Sequence, residues 1–127
     1  MIESDKINLI ESYVSSYNSF DIAGLLAVLD DNIVFENEAN GEINMRSEGK
    51  PAFEKLASES AKSFSTRQQT ITDLVISDES AQVSIDYKGT LATDLPSGLK
   101  AGQTIELKGK TQFEFNLGKI SYIKDVS

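Results

Sequence analysis

The chain predicts an α+β domain with helices first and an antiparallel meander second, and three observations carry that expectation. Apolar residues recur at helical spacing over residues 5–20 and again after residue 50. From residue 66 onward the apolar period falls to two, the signature of strands with one buried face. No linker, repeat or low-complexity tract divides the 127 residues, so residues 1–127 read as one domain.

Ile7, Ile10, Val14 and Tyr17, widened by Leu9, Tyr13 and Phe20, form the apolar stripe of a first helix, with Ser4 or Asp5 as its N-cap. Asp21 is suited to cap a second, short helix through Leu29, because its carboxylate can accept from a free amide in the first turn. Asp30-Asp31-Asn32 ends that helix. Ile33 to Glu38 reads as a strand, Asn40-Gly41 as a tight turn, and Ile43 to Arg46 as a short return. Gly49-Lys50-Pro51 opens a third helix carrying Phe53, Leu56, Ala57 and Phe64, since proline loses no hydrogen bond in a first helical turn.

Four strands follow over residues 66–77, 80–94, 103–116 and 119–126. Ala81, Val83, Ile85, Tyr87 and Leu91 share one face of the second of these, and Ile105, Leu107, Thr111, Phe113 and Phe115 one face of the third. Gly89 and Gly109 interrupt the two strands, where a missing side chain permits sharp curvature or close backbone approach. The loop from Leu95 to Gly102 is the one substantial connection and is expected to rim a pocket.

Composition narrows the chemistry. Twenty acidic residues against twelve basic ones leave a net charge of −8, which repels nucleic acid and anionic membranes, so neither is an expected partner. The N-terminus shows no basic region and no long apolar run, so a cytoplasmic protein is expected. Absence of cysteine excludes disulfides, thiolate metal sites and cysteine nucleophiles, and absence of histidine excludes a Ser-His-Asp triad. Acid–base work must fall to carboxylates, tyrosine or lysine. Adjacent acids at Asp30-Asp31 and Asp78-Glu79 are ordinary for helix ends and turns, and neither a metal nor another cofactor is expected.

Tyr13, the Phe20-Asp21-Ile22 turn and the segment from Leu29 to Glu36 stand in an order and spacing that resembles the SnoaL-like polyketide cyclases and ketosteroid isomerases of the nuclear transport factor two-like superfamily. The resemblance implies a cystatin-like cone, in which three N-terminal helices pack on a curved, mainly antiparallel sheet and enclose a pocket for a small apolar molecule. It also implies roles. Tyr13 falls on the family's helix tyrosine, Glu36 on its general base, and Thr111 on the protonated aspartate that helps stabilise an enolate. A threonine there is the weaker donor, so the implied reaction is a proton transfer of isomerase or cyclase type on a ketone-like substrate, not efficient steroid isomerisation. Phe20, Phe35, Phe53, Tyr87 and Phe113 are the expected pocket lining, and Arg46 and Asp125 are secondary candidates, Arg46 for a ligand carboxylate.

The residues also admit plainer readings. Glu36 suits an exposed edge strand, Tyr13 a core tyrosine, Thr111 a backbone hydrogen bond, and Arg46 and Asp125 solvent ion pairs. The corresponding alternative function is a noncatalytic ligand-binding or interaction module. Relatives commonly pair in homodimers through the outer sheet face, which here alternates Lys, Glu, Gln and Thr, so a homodimer across it would be polar and wet.

Overall fold

The computed structural model describes all 127 residues. Three helices, α1 (Glu3–Asn18), α2 (Ile22–Ala27) and α3 (Lys50–Lys62), accompany six strands. These are β1 (Leu29–Ala39), β2 (Glu42–Glu48), β3 (Phe64–Ile76), β4 (Ser80–Leu91), β5 (Thr104–Asn116) and β6 (Lys119–Val126). They form one sheet in the order β2-β1-β6-β5-β4-β3, antiparallel throughout except where β1 runs parallel to β6. The predicted α+β architecture is therefore the observed one.

Local chemistry accounts for most boundaries. Asp21 Oδ1 accepts from the Gly24 amide at 2.9 Å and caps α2 as expected. Asn40 and Gly41, with φ of 55° and 81°, form the two-residue turn between β1 and β2, a left-handed pair that Asn-Gly accommodates at little cost. Pro51 sits in the first turn of α3. The N-terminus of α1 differs from expectation, because the helix begins at Glu3 behind Ile2 and no side chain caps it. The second helix also ends sooner, and Asp30 to Asn32 already belong to β1.

The core forms where α1 and α2 meet the inner faces of the strands. Ile10, Ile33, Val83, Ile120 and Ile123 are fully shielded from water there, and Phe113 and Leu29 nearly so. Each such aliphatic side chain contributes about 1.5–3 kcal/mol relative to exposure. Phe113 packs edge-on against Tyr13 with ring centroids 5.7 Å apart, which locks the middle of α1 onto β5. Gly89 explains itself by close approach, since a Cβ there would stand 2.9 Å from the Phe64 ring.

Two expectations about the inner face need correction. Leu107 has the predicted parity but is 55% exposed, because the far end of the β4–β5 hairpin runs past the helices that would cover it. The connection between β4 and β5 is tied to strand ends and to α3, through Leu91 N to Gln103 O at 2.9 Å and Ala92 N to Ser63 O at 2.8 Å, and it does not rim the main cavity. No helix is long and apolar enough to cross a membrane.

Candidate active site

A cavity of about 690 Å³ opens between α1, α3 and the inner face of the sheet, a size ordinary for small-molecule sites. Phe35, Phe53, Leu56 and Ala57 give it an apolar wall, and Asn44, Met45, Glu59 and Ser60 lie toward the β2 and α3 side. Phe35 and Phe53 were both expected in this lining. Phe113 lies instead in the core behind Tyr13, and Tyr87 is turned toward Tyr17 and Phe64. Phe20 meets Arg67 and does not reach the cavity wall.

Beyond Asn44, Glu59 and Ser60, polar groups reach this space from α1, β1, β3 and β6. Tyr13 and Tyr17 are one helical turn apart on α1, so both project from its inward stripe. Asn37 lies opposite Asp125 in the β1–β6 pairing, and Thr111 lies opposite Asp125 in the β5–β6 pairing, which puts all three on one face. Thr111 Oγ1 donates to Asp125 Oδ1 at 2.9 Å. The second Asp125 oxygen accepts nothing from the protein, and neither does the Tyr13 hydroxyl donate within it. Burial pushes the Asp125 carboxyl up from 3.8 to about 6, with the Thr111 hydrogen bond offsetting part of the rise. The Tyr13 hydroxyl is raised well above its ordinary value, first by burial and then by the negative charge of Asp125, so it remains a hydrogen-bond donor at neutral pH.

Glu36 does not belong to this group. It lies on the opposite face of β1 from Phe35 and Asn37, where Arg46 Nη1 donates to Oε2 at 2.8 Å and the Tyr122 hydroxyl donates to Oε1. The Tyr122 bond, followed by that from Arg46, holds its carboxyl below the usual glutamate range. Asn37, one residue further on, lines the cavity instead, because successive residues of a strand point to opposite faces. The β1–β6 pairing carries a register shift between Leu29 and Val34. Arg46 binds Glu36 and Glu48 on that outer side and is not part of the cavity lining. Thr111 reaches the site only through Asp125.

Arg67 of β3 was not singled out from the sequence, although it lines the cavity and is only 5% exposed. The stretch from Ser65 to Thr70 is polar throughout, so alternation selects no inner face there. Counting back by twos from Ile71, which packs on the core, passes through Gln69 to Arg67 and gives the one available signal. Arg67 Nε donates to the Tyr17 carbonyl at 2.9 Å, and its guanidinium carbon lies 3.7 Å from the Tyr17 ring centroid and 4.5 Å from that of Phe20. Phe20 holds that position from a left-handed backbone, φ 58°, just beyond α1, where the Asp21 amide closes on Ser16 O at 2.8 Å.

The sequence profile of the SnoaL-like domain matches residues 10–123. The chain belongs to the SnoaL-like domain family. Among solved structures, a SnoaL-like polyketide cyclase candidate from Jannaschia sp. CCS1 is similar with a TM-score of 0.83 and 10% identity, over 98% of this chain and 85% of the other. A polyketide cyclase candidate from Xanthomonas campestris pv. campestris follows with a TM-score of 0.79 and 20% identity, over 98% and 90%. An LEH-like epoxide hydrolase from M. tuberculosis gives a TM-score of 0.77 and 15% identity, over 97% and 82%. No functionally curated protein matches in sequence. These likenesses establish the fold of the SnoaL-like protein, and the reactions named for the neighbours differ, as is common for sites on a shared fold.

Proposed function

We propose that this SnoaL-like protein binds a small, mainly apolar carbonyl compound in the cavity and moves a proton on it, with Asp125 as the base and Tyr13 as the donor to the carbonyl oxygen. The observation that carries the reading is Asp125 itself, a half-buried residue lining the cavity with one carboxyl oxygen held by Thr111 and the other free. A base works best when its pKa lies near the working pH, and a value of about 6 meets that condition while leaving most of the carboxyl ionised at neutral pH.

In the proposed step the free Asp125 oxygen removes a proton from the carbon next to the carbonyl. The C–H electron pair moves into the enolate, whose oxygen takes a hydrogen bond from the neutral Tyr13 hydroxyl. Where the substrate carries a β,γ double bond the intermediate is a dienolate, and return of the proton from Asp125 to its γ carbon completes an isomerisation; return to the α carbon restores the substrate. The apolar wall of Phe35, Phe53 and Leu56 would hold the hydrocarbon body and exclude water from the enolate.

Solvent deuterium exchange tests this directly. With 2-tetralone and 1-indanone as probes, wild-type protein is expected to accelerate α-proton exchange followed by NMR. Asp125→Asn should lower the rate by about 10²-fold or more, the usual contribution of a positioned base, and Glu36→Gln should leave it unchanged. Equal rates for wild type and Asp125→Asn would overturn the assignment.

A further inference from the structure

Arg67 is a buried cation without a counter-ion. Its Nη1 and Nη2 atoms have no hydrogen-bond partner although both are shut off from water, and the residue takes part in none of the ion pairs of the protein. Three contacts fix the group. Nε is bound to the Tyr17 carbonyl, and the rings of Tyr17 and Phe20 lie against the guanidinium. Those contacts cover the guanidinium with two aromatic rings and use one of its five N–H donors, and they supply no negative charge. A buried charge of this kind is costly unless something pairs with it, and its field is weakly screened in apolar surroundings.

We propose that Arg67 is the anion-recognising group of the cavity, so that the ligand is a small acid whose carboxylate lies toward Arg67 while its apolar body rests on Phe35, Phe53 and Leu56. The inference deepens the preceding reading and rests on it, since it assumes that the cavity is the ligand site. A planar carboxylate matches the two Nη groups in a bidentate arrangement that a ketone oxygen alone cannot provide. Direct contact requires the guanidinium to turn toward the cavity on ligand binding, because both Nη atoms are shut off from water. The opposite sign of Asp125, which also lines the cavity, gives the ligand a fixed direction, with its acid end near Arg67 and its reacting carbon near Asp125. A keto acid with an aryl or alkyl body satisfies both ends. Arg46, expected from the sequence to hold a ligand carboxylate, is already occupied by Glu36 and Glu48, and Arg67 takes over that role.

Matched pairs of probes separate this proposal from the pocket reading beneath it. Phenylacetate, 3-phenylpropionate and 2-naphthylacetate are each compared with their primary amides, which keep the shape and lose the charge. Binding is followed by chemical shifts of the Arg67 Nε–H and of the Phe53 and Asp125 amides. Wild-type protein is expected to bind at least one acid tenfold or more tightly than its amide. In Arg67→Gln that advantage should disappear while the amide still binds. Equal affinity of every acid and its amide for the wild-type cavity overturns the anion site and leaves the pocket standing. Failure of all six probes to perturb the cavity overturns both. Because Arg67→Gln also weakens the hold on Tyr17, the wild-type comparison decides the matter even if the variant does not fold.

Discussion

Asp125 carries a carboxyl that the folded chain holds in its protonated form more strongly than the unfolded chain does. Its pKa rises from 3.8 to about 6 because burial disfavours the charge, and the Thr111 hydrogen bond only partly compensates. A raised folded-state value means that the contribution to stability is fully present below pH about 4 and is lost as pH rises through about 6. That loss is on the order of 3 kcal/mol. Asp125→Asn keeps the shape and removes the ionisation, so its stability relative to wild type should increase by about that amount between pH 4 and pH 7 and then level off. Urea unfolding at pH 4, 5.5 and 7 measures it, and a difference that does not change with pH would show that the carboxyl is solvated. The opposite sign holds for Glu36, whose lowered value favours folding above the glutamate range and loses that effect in acid. A site that stabilises least at the pH where it is charged is a common consequence of placing a base in an apolar cavity.

At the scale of elements, what could be read from the chain depended on whether its local pattern had one solution. β4 alternates strictly, and Ala81, Val83 and Ile85 are buried where the pattern puts them. β1 does not. Val34 with Glu36 and Ile33 with Phe35 mix apolar character on both faces, so the pattern leaves the inward side undecided, and only the long-range pairing of β1 with β6 settles that Asn37, not Glu36, joins Asp125. Thr111 and Asp125 lie 14 positions apart and meet only through the β5–β6 ladder, a relation that periodicity within one strand cannot express. Gly109, by contrast, announces itself as an interruption, and the structure supplies the reason. A Cβ there would stand 2.8 Å from the Val126 carbonyl oxygen, and backbone cannot yield as a flexible side chain does. Gly109→Ala should therefore destabilise the protein by about 1–3 kcal/mol, read by thermal unfolding, with enhanced amide exchange confined first to the end of β6. Retention of full stability would mean that this end of the sheet opens freely.

At the scale of the whole molecule, α1 is the beam that carries Tyr13 and Tyr17 to the cavity, and polar contacts at each end pin it to the sheet. At its beginning the buried Lys6 donates through Nζ to the Ser77 carbonyl at 3.0 Å and to that of Asp78. At its end the Asn18 side chain both accepts from the Gln69 amide at 2.7 Å and donates to the Gln69 carbonyl at 3.1 Å, continuing the edge of β3 as a strand would. The helical stripe was legible from apolar spacing, but these pins were not, because lysine and asparagine are ordinarily surface residues and their partners lie 51 to 72 positions away. The two ends should be separable. Lys6→Met preserves the buried stem and leaves two carbonyls without a donor, so it should cost about 1–3 kcal/mol and loosen the β3–β4 turn, while cavity affinity for the arylalkanoate probes stays unchanged. Asn18→Ala should cost a similar amount, yet it frees the end that positions Tyr17, and through the Tyr17 carbonyl and ring it frees Arg67. The acid–amide difference in probe binding should shrink in that variant alone. Denaturant unfolding paired with the same titrations makes the comparison, and equal effects of both variants on probe affinity would show that α1 moves as a single rigid rod and that its two anchors act as one.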